Sequence, residues 1–180
     1  HASSRPTKRM AKPANKSLSL TVQYACNEAL SSPFLPGRAQ LRRWVSATLE
    51  CPAELTLRFV DAEEGRMLNR EFRGRGNEKE KDYPTNVLTF VYTAPPHATG
   101  DLVLCVPVVL REAAEQGKHV MAHFAHLVVH GMLHLQGYEH DSDTDAERME
   151  ARECVILRRI GIADPYAGEK NRFMRRIEKE

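Results

Sequence analysis

Residues 119–137 read H-V-M-A-H-F-A-H-L-V-V-H-G-M-L-H-L-Q-G. Apart from its histidines, the stretch from 119 to 136 is apolar, which predicts one long, largely buried helix. Gly137 stops it, because glycine tolerates the left-handed conformation of a helix end. Three residues later comes His140.

The flanking sequence supplies shorter elements. Upstream, S-L-S-L-T-V-Q-Y alternates apolar and polar residues, so 17–25 reads as a half-buried strand. Residues 39–49 have helical spacing, with Leu41, Trp44, Val45 and Leu49 on one face. E-L-T-L-R-F-V (54–60) predicts a second strand, and Asp61 with Glu64 a capping box on a helix running to about Phe72. R-G-R-G-N-E-K-E-K-D (73–82) reads as a polar, mobile loop. N-V-L-T-F-V-Y (86–92) is a third strand, A-P-P-H-A-T-G a turn, and D-L-V-L-C-V (101–106) a fourth strand. Pro107 suits the first turn of a short helix through about Gln116. After the histidine helix, 143–160 predicts an amphipathic helix with Met149, Val155, Ile156 and Ile160 as core contacts, ended by Gly161 and Pro165. There is no repeat and no linker. The mixed order predicts a single α/β (α+β) layered domain with a small mixed sheet packed by helices.

Composition agrees with a globular chain: 180 residues, 42% hydrophobic and 28% charged. No apolar run approaches ~18 residues, so no membrane span is expected. The first residues lack the apolar stretch of a secretory signal, and the four cysteines form no C-x-x-C pair. Together these predict reduced, mostly buried thiols and a cytoplasmic location. The net charge of +2 is uneven. Residues 1–16 carry five basic residues and no acid; residues 169–180 carry five basic and three acidic. The tails thus hold +5 and +2, leaving −5 for the body. On charge alone they read as solvated, disordered ends, with phosphate binding as the alternative. The expected organisation is a basic tail at 1–16, one domain over 17–168, and a second basic tail at 169–180.

Five of the eight histidines lie between 123 and 140. Residues four apart share a helix face at roughly 6 Å, close enough for two imidazoles to reach one metal. His126, His130 and His134 form such a run, but its ends are about 12 Å apart and cannot share one ion. His140, brought back by Gly137, selects His130 and His134 as its partners. The result is three nitrogens and an open position, the pattern of a catalytic zinc site with one ion per chain. His126, one turn earlier, becomes a substrate-side residue or proton shuttle. His119 and His123 read as surface residues. The spacing is that of zinc proteases, but their glutamate after the first histidine is here Gly131. That argues against peptide hydrolysis by the usual route.

With these residues in view, the chain resembles the YbeY family of bacterial endoribonucleases. H-G-M-L-H-L-Q-G-Y-E-H (130–140) is similar to the family's H-G-x-L-H-L-x-G-[YH]-[DE]-H signature. L-N-R-E-F-R-G (68–74), D-Y-P-T-N-V-L-T-F (82–90) and G-D-L-V-L-C (100–105) resemble its other motifs in the same order, as does the segment Asp145–Glu150. The resemblance spans about 55–160, and the tails lie outside it. It implies a zincin-like fold, a zinc ion on His130, His134 and His140, and cleavage of single-stranded RNA. It also implies work on rRNA and ribosomal particles, in maturing the 3′ end of 16S rRNA and in late ribosome quality control. Arg73 matches an arginine of catalysis or RNA binding. About six extra residues, R-G-N-E-K-E (75–80), interrupt the family pattern beside it.

The expected chemistry is a zinc-bound water, its pKa lowered to about 7, attacking a phosphodiester. The Arg73 fork would neutralise the phosphate oxygens. Two rival readings follow from the same residues: a non-catalytic ribosome assembly factor with a structural metal, and a zincin-type metallopeptidase.

Overall fold

The computed structural model describes residues 16–27, 35–73 and 85–166, without the side chains of Phe72 and Arg73. Nearly all of both basic tails and the 75–80 insertion lie outside the described residues. In chain order the elements are β1 (Leu18–Ala25), α1 (Arg38–Thr48), β2 (Ala53–Val60), α2 (Ala62–Arg73), β3 (Val87–Thr93), β4 (Ala98–Cys105), α3 (Val106–Glu115), α4 (Val120–Leu135) and α5 (Asp143–Arg159).

The strands form one sheet in the order β1-β2-β4-β3. β1, β2 and β4 run parallel, while β3 joins antiparallel at the edge. The expected mixed α/β architecture is therefore present. Alternation along the strands divides the core. Leu55, Leu57, Phe59, Leu102 and Leu104 face α1, α4 and α5, together with Leu41, Trp44, Phe124, Val128, Met132 and Leu157. Val60, Leu88, Val103 and Cys105 face the other way, where Leu68 of α2 and Val108 of α3 cover them. Burial of the first set is the main stabilising term, at about 25 cal/mol per Å² of apolar surface.

Three helix boundaries carry their sequence signals. The backbone N–H of Glu64 donates to Asp61 Oδ1 at 3.1 Å, so Asp61 caps α2 as expected. The reciprocal half of the capping box is replaced: Glu64 Oε1 instead accepts from Arg58 Nη2 at 2.7 Å and Nε at 2.9 Å. Pro107 sits in the first turn of α3. Ser142 caps α5, its hydroxyl accepting from the Asp145 N–H at 3.1 Å.

Three expectations need correction. Residues 98–100, read as part of a turn, belong to β4, where they pair with Ala53–Leu55 of β2. Val155 is 41% exposed rather than a core contact. The buried face of α5 instead carries Met149, Glu153, Ile156 and Leu157, and helical periodicity turns residue 155 off it. Of the four cysteines only Cys105 is fully buried; Cys26, Cys51 and Cys154 are half-buried, and none is in a disulfide.

Gly100 sits where β4 is hemmed in by its neighbour strand β3 and by Leu135 of α4. A Cβ there would lie 2.1 Å from the Phe90 carbonyl oxygen and 2.5 Å from Leu135 Cδ1. The first neighbour is backbone of the paired strand and cannot rotate away. Gly100→Ala is expected to cost about 3 kcal/mol. The check is a lower urea midpoint with an unchanged slope.

Candidate metal centre

α4 runs between the sheet and α5 and presents its histidines along one edge. Its C-terminus explains how the third histidine arrives. Gly137 has φ +96°, the Tyr138 N–H donates to the Leu133 carbonyl at 3.0 Å, and the Gly137 N–H to that of His134 at 3.0 Å. This Schellman closure reverses the chain. Gln136 anchors it: its side chain donates to the Thr48 carbonyl at 2.9 Å and accepts from the Glu50 N–H at 2.7 Å. The Tyr138 hydroxyl donates to Glu50 Oε1 at 2.8 Å. The loop carrying His140 is thus tied to the end of α1.

His130, His134 and His140 converge, with their ligand atoms all within 4.8 Å of one another. Ring centroids are 4.6 Å apart for 130–134, 4.8 Å for 134–140 and 5.7 Å for 130–140. The far nitrogens of two rings are fixed. His130 Nδ1–H donates to Glu153 Oε1 at 2.6 Å, and His134 Nδ1–H donates to the Tyr138 carbonyl at 2.8 Å. A carboxylate and a carbonyl only accept, so in the neutral rings both protons sit on Nδ1 and both Nε2 atoms present lone pairs. Those two Nε2 atoms are 3.1 Å apart. Two lone pairs at that distance repel unless a proton or a metal ion lies between them. A tetrahedral ion with ~2 Å bonds separates its ligands by roughly 3.3 Å. Burial, then the neighbouring His130, holds the His134 imidazole down to about 4, in the neutral form a metal requires. The donor set fits one ion with an open position.

Glu153 was missed by sequence reading. It is fully buried and bridges two histidines, accepting at Oε2 from His126 Nε2 at 2.8 Å as well as from His130. The Tyr166 hydroxyl also donates to Oε2 at 2.6 Å. Burial works against this carboxylate's charge, but the His126 and His130 hydrogen bonds prevail and hold it down to about 2. The available signal was a lone acid among Met149, Ile156 and Leu157 on a helix face. His126 therefore has its Nε2 on Glu153, while its Nδ1 is buried and has no hydrogen-bond partner among the described residues.

The histidines open into a cavity of about 640 Å³, within the 300–1,000 Å³ of ligand clefts. Thr85, Asn86, Val87, Thr89 and Val91 form one wall; His126, Glu139 and Tyr166 help form the rest. Arg73 closes α2, on the sheet face opposite α4, and its side chain lies outside the described residues.

Two sequence readings change here. His119 is exposed as expected, but His123 is 4% exposed, with Nε2 2.8 Å from Glu112 Oε2. Glu112 also accepts from Asn86 Nδ2 at 3.1 Å, linking α4 to the cavity wall. Gly131 has a packing cause: a Cβ there would lie 2.7 Å from Leu102 Cδ2 and 3.1 Å from Leu102 Cγ. The missing glutamate reflects how closely α4 lies on β4, and by itself says nothing of substrate.

His123 gives a pH prediction. Burial lowers its pKa below 6.5, opposed by the Glu112 hydrogen bond, and its buried Nδ1 finds no acceptor for a second proton among the described residues. Below pH 6.5 the unfolded chain takes up a proton that the folded chain refuses. Stability should therefore fall as pH drops from 6.5 until folded His123 itself protonates, by at most about 1.4 kcal/mol per pH unit. Urea titrations from pH 7.5 to 5 should show a shallower decline in His123→Leu.

The family profile described as Endoribonuclease YbeY matches residues 37–161. A protein of that description from Aromatoleum aromaticum is 54% identical over 154 residues, covering 86% of this chain and 96% of its own. One from Methylibium petroleiphilum is 49% identical over 158 residues, covering 88% and 100%. A solution structure from Thermotoga maritima is 23% identical with a TM-score of 0.46, covering 77% of this chain and 89% of that one. With the profile matched over most of its length and half its residues shared with full-length relatives, the chain belongs to the YbeY family.

Proposed function

We propose that this protein is a metal-dependent endoribonuclease acting in rRNA maturation, with His130, His134 and His140 as ligands of one zinc ion. The observation that carries the metal is the convergence of three histidine nitrogens within 4.8 Å, with the Nδ1 atoms of His130 and His134 held by Glu153 and the Tyr138 carbonyl so that Nε2 faces the centre. The RNA substrate follows from membership in a family of endoribonucleases. A divalent ion held there supplies Lewis acidity, lowering the pKa of water and neutralising phosphate charge.

The chain's own residues do the rest. Glu153 keeps His130 in the ligating tautomer, and His126 shares that carboxylate at the cavity wall. Thr85 and Asn86 offer polar groups along the wall where a ribose-phosphate backbone would lie. Arg73 is proposed as the phosphate-neutralising residue, on its place in the F-R-G motif and the match of guanidinium to phosphate. His126 is proposed as a proton carrier that acts through Glu153. The zincin-like reading rests on two ligands one helical turn apart and a third beyond the glycine. Residues 17–168 are proposed as the catalytic domain, with the basic tails gripping single-stranded RNA or ribosomal particles. No helix among the described residues is long and apolar enough to cross a membrane. A cytoplasmic setting is proposed from the substrate.

The test is metal content and single-stranded RNA cleavage for wild type and His134→Ala, purified identically. Metal and cleavage should be lost together. Equal cleavage by a metal-free variant would sink the metal mechanism. Cleavage of peptides with none of RNA would favour the peptidase reading. Retained rRNA processing in the variant would favour the assembly factor.

A further inference from the structure

The segment after α5 reaches the metal centre by the same device that delivers His140. Gly161 has φ +81°, the Ile162 N–H donates to the Leu157 carbonyl at 2.8 Å, and the Gly161 N–H to that of Arg158 at 3.2 Å. This second Schellman closure turns the chain back over the core, where Ile162 packs. Asp164 Oδ1 then accepts the Tyr166 N–H at 2.8 Å, closing a turn through Pro165. Tyr166 comes to rest edge-on to His126, with ring centroids 5.4 Å apart. Its hydroxyl lies 2.6 Å from Glu153 Oε2 and 3.2 Å from His126 Nε2, and its side chain lines the cavity. The residue lies beyond the 37–161 matched by the family profile.

We propose that Tyr166 is a positioning residue of the active site: its hydroxyl fixes Glu153 between His126 and His130, and its ring forms a wall of the RNA cavity. Glu153 is fully buried, so each of its lone-pair directions needs a donor or is lost. His130 satisfies Oε1, while His126 and Tyr166 satisfy Oε2. With the phenol gone, Oε2 keeps one donor and the carboxylate can rotate. The 2.6 Å bond to His130 Nδ1 then loosens, and with it the aim of Nε2 at the metal. The ring acts separately: it is a flat, partly buried aromatic face at the cavity wall, of the kind that unpaired bases stack on.

The two roles separate by substitution. Tyr166→Phe keeps the wall and removes the hydroxyl; Tyr166→Ala removes both. Zinc affinity is measured on the metal-stripped full chain by competition with a chromogenic chelator, alongside steady-state cleavage of a single-stranded RNA. Tyr166→Phe should weaken zinc binding roughly fivefold, less than the 10–100-fold typical for a ligand's direct partner. Its kcat should fall while KM stays within about twofold. Tyr166→Ala should show the same zinc defect with an added rise in KM. Unchanged zinc affinity in Tyr166→Phe overturns the positioning role, and an unchanged KM in Tyr166→Ala overturns the wall. The inference rests on the proposed ligand set, so His134→Ala runs beside it. Full zinc binding in His134→Ala defeats the ligand set. Lost binding there with wild-type behaviour in Tyr166→Phe defeats this proposal alone.

Discussion

Glu153→Gln should cost this protein 10–100-fold in zinc affinity and about 3 kcal/mol in stability, although it changes one atom. The reason is the number of protons aimed at the carboxylate. His130 Nδ1, His126 Nε2 and the Tyr166 hydroxyl all donate to it, at 2.6, 2.8 and 2.6 Å. A glutamine has one acceptor oxygen and an amide that donates. If the amide faces His130, two donors meet, or the imidazole changes tautomer and places its proton on Nε2. In that tautomer His130 no longer offers a lone pair to the metal. If the amide faces His126 instead, that ring and the phenol lose their shared acceptor. Both orientations leave a buried group unsatisfied. Chelator competition and urea melts on the same preparation check the two effects. Wild-type zinc affinity in Glu153→Gln would show that the carboxylate does not set the His130 tautomer.

The ligand triad was legible in sequence because its geometry is local. His130 and His134 are one helical turn apart, and Gly137 brings His140 back within three residues, so helix pitch and a glycine suffice to place them. Most strands and helices were legible for a similar reason, since period alone distinguishes β2 from α1. Glu153 and Tyr166 were not, because their roles depend on how α5 and the segment after it pack on α4. Glu153 stands out only once Met149, Ile156 and Leu157 are known to be buried. Tyr166 follows Pro165 in a stretch without periodicity, and nothing local marks it as part of a site. His123 was misplaced on the same grounds: whether a histidine near a helix start is buried depends on Glu112, eleven residues away on another helix. Ala98–Gly100 looked like turn because of the two prolines and the glycine. Parallel pairing to β2 overrode that local chemistry.

Gly131→Glu, which restores the protease signature in sequence, should strongly destabilise the fold rather than create a peptidase. Residue 131 is buried where α4 lies on β4, and the first added atom would sit 2.7 Å from Leu102 Cδ2. Overpacking of this kind costs about 1–3 kcal/mol, and a carboxylate buried beside Leu102 without a cationic partner adds several more. A total near 5 kcal/mol corresponds to a drop of roughly 10–20 °C in melting temperature for a domain of this size. Gly131→Ala separates the two contributions. It gains about 1 kcal/mol of helix propensity and loses a similar amount to the contact, which falls on the end of a side chain. It should therefore melt within a few degrees of wild type and keep its metal. Leu102→Ala should relieve the clash, so the double variant with Gly131→Ala should be more stable than additivity predicts. A folded, zinc-loaded Gly131→Glu protein would show that α4 can lift from the sheet, and peptide cleavage by it would restore the protease reading. A sharply lowered melting temperature in the glutamate variant beside a sound alanine variant would fix the meaning of Gly131 as a contact between two layers.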